Sequence, residues 1–420
     1  MIRQSVTAAQ WKIIFLSSLG GMLEFYDFVI FAVFALPIGE TFFPNKTPLL
    51  SIIAAFSAFA IGYLARPIGG IVFSHFGDKY GRKRSFILTI IIMGSATFLM
   101  GMIPSYYVYG FWMSIIFILL RIIQGIAVGG EIPGAITFVA EHVKHRAGFA
   151  CGIVFLFINL GIFLANFVNA IFNIILKNTN FYHDAWRFAF FIGGFLAIIS
   201  YFLRSKLSET PEYLAFEHVL VKIPFFSLVK SQPRNIIMGI LIVATQATLI
   251  SLLYLYVTQY MELTGLYTHE QISMITLTTL GIFSIGCAFW GWLADSIGYK
   301  RILSIGMLLL IFFSYEYYVA MLHNHYLLFA TIAIAVVSSM ITGSFSAFLT
   351  TLFPTVVRFS GIALCYNIGF AIFGGLTPLA ASYLIHKTHH PLSPSYIVML
   401  IAAIGLIGVF SARKIKEIKY

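Results

Sequence analysis

The chain has 420 residues, of which 60% are hydrophobic and 10% charged, and its mean hydropathy is +0.93. Soluble domains carry about 25% charged residues, so a water-soluble fold is excluded and a polytopic membrane protein follows. The formal net charge of +11 would suggest a nucleic-acid partner in a soluble chain. Here the positions of the cations matter more than their sum, and no nucleic acid is expected.

A helix that crosses a hydrocarbon core of about 30 Å needs about 20 apolar residues. Twelve such runs occur, near 11–36, 49–73, 85–104, 109–140, 148–176, 186–204, 234–262, 270–294, 301–321, 325–350, 357–386 and 394–412. The first carries Glu24 and Asp27, is too long for the apolar core of a signal peptide and lacks a small-residue cleavage site, so it is expected to remain as helix one. Cys151, Cys287 and Cys365 all fall inside apolar runs, where they are small packing residues without disulfide or metal spacing.

Between the second and third runs lies Ser74-His75-Phe76-Gly77-Asp78-Lys79-Tyr80-Gly81-Arg82-Lys83-Arg84. Gly77 and Gly81 permit a tight turn, and Asp78 can accept hydrogen bonds from an exposed helix N-terminus. A diminished copy, Gly291 to Arg301 with Asp295 and Gly298, follows 217 positions later, so the chain reads as two related halves. The expected division is an N-terminal half over 1–204, a linker over 205–233 and a C-terminal half over 234–420. The linker holds Pro211, Pro224 and Pro233, and its start, Ser208-Glu209-Thr210-Pro211-Glu212, suits either a short helix or a solvated connection.

Lys and Arg concentrate in the loops of one side, which is the cytoplasmic side by the positive-inside rule. With both termini inside, that side holds 20 of the 26 cations, against Lys46, Lys177 and Lys387 outside and Arg66, Arg121 and Arg187 within helices.

The 74–84 loop and its copy resemble the signature loops of the major facilitator superfamily, where they join helices two to three and eight to nine. Further motifs narrow the resemblance. They are Gly21 to Phe28, Ala65-Arg66-Pro67-Ile68-Gly69-Gly70, Arg121-Ile122-Ile123-Gln124-Gly125 with Gly129-Gly130-Glu131, Trp186-Arg187-Phe188, Glu209-Thr210-Pro211-Glu212, and Leu352-Phe353-Pro354-Thr355 leading to Tyr366-Asn367-Ile368-Gly369. Together they are similar to the metabolite:proton symporter branch, over essentially the whole chain. The resemblance implies an all-α fold of twelve helices in two pseudo-symmetric halves, with helices one, four, seven and ten lining a cavity. It also implies proton-driven transport of small polar metabolites such as α-ketoglutarate, citrate, shikimate, proline or betaine.

Ionisable residues at membrane depth are rare and usually face the bundle interior. Counting at 1.5 Å per residue puts Glu24 roughly 20 Å and Asp27 roughly 24 Å from the inner end of helix one, with Arg121 at about the same level. Glu24 and Asp27 share a helix face. Arg66 and Glu131 lie lower and are expected to pair with one another near the cytoplasmic mouth. The alternative for all five is structural glue between helices. The expected proton carriers are Asp27, then Glu24, with Glu131 as a third; Arg121 and Arg66 would take a substrate carboxylate, with Tyr26 beside them. Burial favours a neutral carboxyl while a neighbouring guanidinium favours the anion, so substrate binding to the arginine would free the acid to take a proton.

Neutral candidates surround these charges. Asn159 and Asn166 lie on one arc of helix five with Asn169 and Asn173, and Gln246, Tyr256, Tyr366 and Asn367 are available from the second half. Interhelical hydrogen bonding is the plain alternative for each of them. In the second half Glu316 is the main intramembrane charge, and it reads as an interface residue. His386, His389 and His390 cluster in an outer loop without metal-site spacing, so no metal is expected.

For gating, Asp78 is expected against the N-terminus of helix eleven near Arg358, Gly81 at the turn, and Arg82 against an acid such as Glu141, with Asp295 and Arg301 as the weaker repeat. The expected protein is a secondary transporter, monomeric, in a bacterial inner membrane. It would carry a small, carboxylate-bearing anionic or zwitterionic metabolite with protons, needing no cofactor beyond the proton gradient. A proton-antiporting exporter is the nearest alternative and a non-transporting receptor a more distant one. No phosphate loop or nucleophile motif supports an enzyme.

Overall fold

Backbone amides and carbonyls have no water to bond inside hydrocarbon, so each spanning segment must satisfy its own as a helix. The computed structural model describes residues 5–45, 47–175, 184–216 and 224–413. Among them twelve helices are long and apolar enough to cross a membrane. They are α1 (Ala8–Val33), α2 (Ile53–Tyr80), α3 (Arg82–Met102), α4 (Phe111–His142), α5 (Lys144–Phe172), α6 (Ala185–Ser205), α7 (Pro233–Glu262), α8 (Glu270–Ile297), α9 (Tyr299–His323), α10 (Leu327–Thr350), α11 (Thr355–Thr388) and α12 (Ser393–Ser411). Arg3, Lys46, Lys177, Lys222, Lys414, Lys416 and Lys419, which entered the orientation argument, lie outside the described residues, as does the 217–223 stretch of the linker.

By their contacts the chain divides into two units. One comprises Ala8–Phe138 with Phe157–Leu220; the other comprises Val139–Leu156, Val221–Tyr420 and the first residues to Thr7. In the first unit α3 packs along α6, α1 lies against α6, and glycines bring α2 onto α4 and α1 onto α5. The second unit repeats the scheme, with α9 along α12, α7 against α12 and α11, and α8 on α10. The α2/α4 crossing depends on missing side chains, since a Cβ on Gly125 would run into the Gly62 backbone.

Two departures from the sequence reading matter. The 74–84 segment is almost wholly helical, for α2 continues to Tyr80, α3 starts at Arg82, and Gly81 alone turns the chain at φ 111°. Gly298 does the same between α8 and α9 at φ 106°, so both copies use one backbone device that a side chain would strain. The second departure is a π-helical turn in α7 (Ser251–Leu255) and another in α11 (Phe370–Gly374), joined by the Ser251 hydroxyl donating to the Gly374 carbonyl at 2.8 Å. The linker contains short helices at Pro211–Phe216 and Pro224–Ser231, of which the first realises the helix-start signal at Thr210-Pro211.

Gly125→Leu should lower the midpoint of thermal unfolding by several degrees, because overpacking costs about 1–3 kcal/mol or more. Gly281→Leu, where nothing stands within 4 Å of the added Cβ, should leave the midpoint within a degree or two. Equal midpoints for the two variants would show that the α2/α4 contact is not tight.

Candidate functional site

The buried charges of the first unit form three tiers. In the uppermost, Asp27 of α1 accepts from the Thr97 hydroxyl of α3 at 2.7 Å and from the Gln124 amide of α4 at 3.2 Å. The same amide nitrogen donates to Thr97 Oγ1 at 2.7 Å, and Gln124 Oε1 accepts from the Arg121 guanidinium. Arg121 therefore reaches Asp27 through Gln124, and its guanidinium lies between the rings of Phe31 and Phe59, 4.5 and 4.6 Å from their centroids. Its Nε has no hydrogen-bond partner. Tyr26 turns away from this group and donates to the Ala189 carbonyl at 3.0 Å.

In the second tier Glu24 faces Arg66 of α2 at 3.2 Å, and Arg66 also lies over the Tyr63 ring. Glu24 Oε2 is buried without a hydrogen-bond partner. Glu24, Asp27, Arg66, Arg121 and Gln124 line a common cavity of about 30 Å³, room for about two waters at most, so a metabolite needs a wider state of the helices.

The third tier is saturated. Arg204 of α6 meets Glu131 of α4 at 2.6 Å and donates to the carbonyls of Leu16, Ser17 and Phe86, while Thr89 donates to the other Glu131 oxygen at 2.7 Å. The expected Arg66–Glu131 pair is therefore replaced by two others. The expectation failed because depth was counted from the ends of apolar runs. Helix α2 extends to Tyr80, which lifts Arg66 to mid-helix beside Glu24, and Arg204, at the very end of the sixth apolar run, folds inward to take Glu131.

At the end of the helices that carries the signature segment, Arg82 pairs with Asp78 at 3.0 Å and donates to the Gly77 carbonyl. Glu141 meets Arg358 at the start of α11, at 3.2 Å. Asp78 stands one helical turn from Arg82 across the Gly81 corner. Asp295 accepts the backbone N–H groups of Gly148 at 2.7 Å and Phe149 at 3.0 Å, capping the start of α5, and also takes the Tyr299 hydroxyl at 2.7 Å. The repeat is thus a fully formed helix cap, whereas Arg301 is exposed. Glu209 accepts from the Lys83 and Thr210 amides, and Tyr213 donates to the Lys79 carbonyl, so the linker braces the corner.

The neutral candidates are dispersed. Gln246 accepts from Thr342 at 2.9 Å and keeps Nε2 unpartnered in the interior. Tyr256 accepts from Ser382, Tyr366 stacks on Phe370, and Asn367 donates to the Ala363 carbonyl one turn back. Asn159 is buried, with Nδ2 unpartnered, while Asn166 is exposed and donates to its own helix at Ile162. The side chain of Asn173 lies outside the described residues. Arg187 donates to the carbonyls of Gly101 and Ile103 and so caps the end of α3.

Sequence reasoning gave no role to Thr97, Gln124, Arg204 or Glu209. Gln124 had a signal, since it stands one turn from Arg121 on the same face. Thr97 had none, because a threonine in such a helix ordinarily bonds its own backbone, as this one also does to Met93.

Twelve spanning helices in two like-packed units, with unsaturated buried charges in one of them, define a polytopic membrane transporter. The chain belongs to the Major Facilitator Superfamily, whose family model matches residues 15–314. It is 32% identical to the proline/betaine transporter of Salmonella typhimurium, over 98% of this chain and 84% of that protein. It is also 32% identical to the glycine betaine/proline/ectoine/pipecolic acid transporter of Dickeya dadantii, over 97% of this chain and 83% of that one. Among solved structures it superposes on the proton:xylose symporter XylE bound to 6-bromo-6-deoxy-D-glucose with a TM-score of 0.78 at 16% identity, covering 97% of this chain and 95% of that one. The protein is an integral membrane transporter of this family and not an enzyme.

Breaking a buried ion pair by removing one partner costs about 3–5 kcal/mol, whereas replacing both can be nearly neutral. Arg204→Met alone should therefore sharply lower thermal stability, and Glu131→Leu with Arg204→Met should recover most of the loss. A double variant as unstable as the single would contradict a pairwise pin.

Proposed function

We propose that this chain imports a small zwitterion of the proline or betaine kind together with protons, by alternating access of the 1–204 and 234–420 halves joined by the 205–233 linker. Both termini would be cytoplasmic and the membrane a bacterial inner one. The observation that carries the reading is the Asp27–Gln124–Arg121 relay, in which a buried acid and a buried base are held apart by one amide. The substrate class is supported by near full-length relatives named for proline and betaine transport. None of the relatives described above is named as an exporter, and the export alternative has nothing to favour it.

A substrate carboxylate reaching Arg121 would take both guanidinium edges and draw it away from Gln124. Asp27, left with weaker donors in a dry site, would then favour its protonated form. The loaded, proton-bearing site then carries one net positive charge, on the substrate nitrogen, where the ionised Asp27–Arg121 pair carried none. Glu24, with one oxygen unpartnered, is the second proton acceptor, and Arg66 holds it. Glu131 is given a structural role, because Arg204 and Thr89 occupy it fully. The gate would be the Asp295 cap on α5 and the Glu141–Arg358 pair, contacts that must open to expose the site to the cytoplasm.

In proteoliposomes with an inward proton gradient, proline or glycine betaine should accumulate and Asp27→Asn should abolish accumulation while leaving counterflow. Accumulation that survives in Asp27→Asn removes Asp27 as carrier, and uptake of citrate or α-ketoglutarate in place of the zwitterions overturns the substrate class. The gate has its own readout in Cys151, which is buried on α5 one turn from the Asp295 contacts. Asp295→Asn should speed its alkylation by a permeant maleimide several-fold, and an unchanged rate would remove Asp295 from the gate.

A further inference from the structure

We propose that the membrane-facing groove between α3 and α6 is a binding site for an anionic glycerophospholipid, with one acyl chain lying along the groove and the phosphate between Arg84 and Lys206. The groove encloses about 490 Å³, within the range of about 300–1,000 Å³ typical of ligand sites. Ile91, Ser95 and Phe98 of α3 and Ile198 and Tyr201 of α6 form its sides, and nearly all of it is apolar. Its floor exists because Gly94 and Gly194 carry no side chain where the two helices meet, at Ala197 and Phe98 respectively.

Helical register then fixes what stands at its mouth. Arg84, Leu88, Ile91, Ser95 and Phe98 recur at intervals of three and four and are all exposed, so they form one outward stripe that runs from a cation into the groove. On α6 the corresponding exposed residues are Ile198, Phe202 and Lys206. The Arg204 guanidinium reaches the Phe86 carbonyl at 3.1 Å, which sets residue 204 beside residue 86 in two antiparallel helices. Arg84 and Lys206 each lie two residues further out, so they stand at the same level, roughly 3 Å beyond that contact and roughly 10 Å from Ile91. Among the described residues neither is drawn to a carboxylate. An apolar furrow that ends in two uncompensated cations at a membrane boundary matches an acyl chain that ends in a phosphate.

A second apolar groove, about 560 Å³ between α5 and α6, lacks this feature among the described residues. Arg187 beside it is already held by Asp184 and two carbonyls. Charge complementarity therefore selects the first groove.

The test uses the purified full chain in detergent, incubated with phosphatidylglycerol or phosphatidylcholine and assayed for lipid retained per protein by native mass spectrometry. The wild type should retain phosphatidylglycerol in excess, and Arg84→Gln with Lys206→Gln should reduce that retention roughly five-fold or more. Ser95→Phe, which fills the groove and leaves both cations in place, should also reduce it. Lys12→Gln with Lys230→Gln, which removes two exposed cations elsewhere, should retain lipid as the wild type does. Equal retention of the two lipids by the wild type, equal loss in the two double variants, or wild-type retention by Ser95→Phe would each overturn the assignment.

Discussion

An ionised side chain in hydrocarbon must be answered by the protein, because water cannot answer it. The N-terminal unit is arranged around that constraint. Its charges are not uniform glue but differ in how completely they are satisfied. Arg204 uses its guanidinium on Glu131 and three carbonyls from α1 and α3, so it binds α1, α3, α4 and α6 into one block. Arg121, in contrast, has aromatic faces on both sides, one amide partner and an unpartnered Nε. The first arrangement resists change, and the second is poised to exchange partners.

That contrast separates scaffold from site within a few ångströms. The saturated tier can hold the helices in register while the tiers above it open and close. The small residues at the α2/α4 crossing act to the same end, bringing Arg66 and Arg121 close to the acids of α1 without leaving a large cavity. The second unit contributes no comparable charge. Apart from the Glu141–Arg358 pair its buried polar side chains among the described residues are neutral, and its helices α7 and α11 carry π-turns joined by one hydroxyl, places where a helix departs from regular hydrogen bonding and can bend.

The two corners at Gly81 and Gly298 show one backbone device used twice. Both glycines take nearly the same positive φ and both end a long helix. Around Gly81 the aspartate pairs with its own neighbour Arg82, and a linker carboxylate caps the next helix. Around Gly298 the aspartate caps the start of α5. The copy that reads as diminished in sequence lost mainly its basic residues, and those are dispensable to a cap whose donors are backbone amides.

The sequence by itself determined the twelve helices, their number and approximate ends, because hydropathy is a one-dimensional signal and the bilayer imposes a length. It also singled out Glu24, Asp27, Arg66, Arg121 and Glu131, because charge is rare at that depth. Only the tertiary structure decided who pairs with whom. Partnership depends on where each helix stops, as with α2 running on to Tyr80, and on which residues of other helices turn inward, as Arg204 does. It depends also on neutral side chains such as Thr97 and Gln124, whose importance lies in standing between charges brought together by helices distant in the chain. Interhelical geometry of that kind leaves almost no trace in the composition of any one helix.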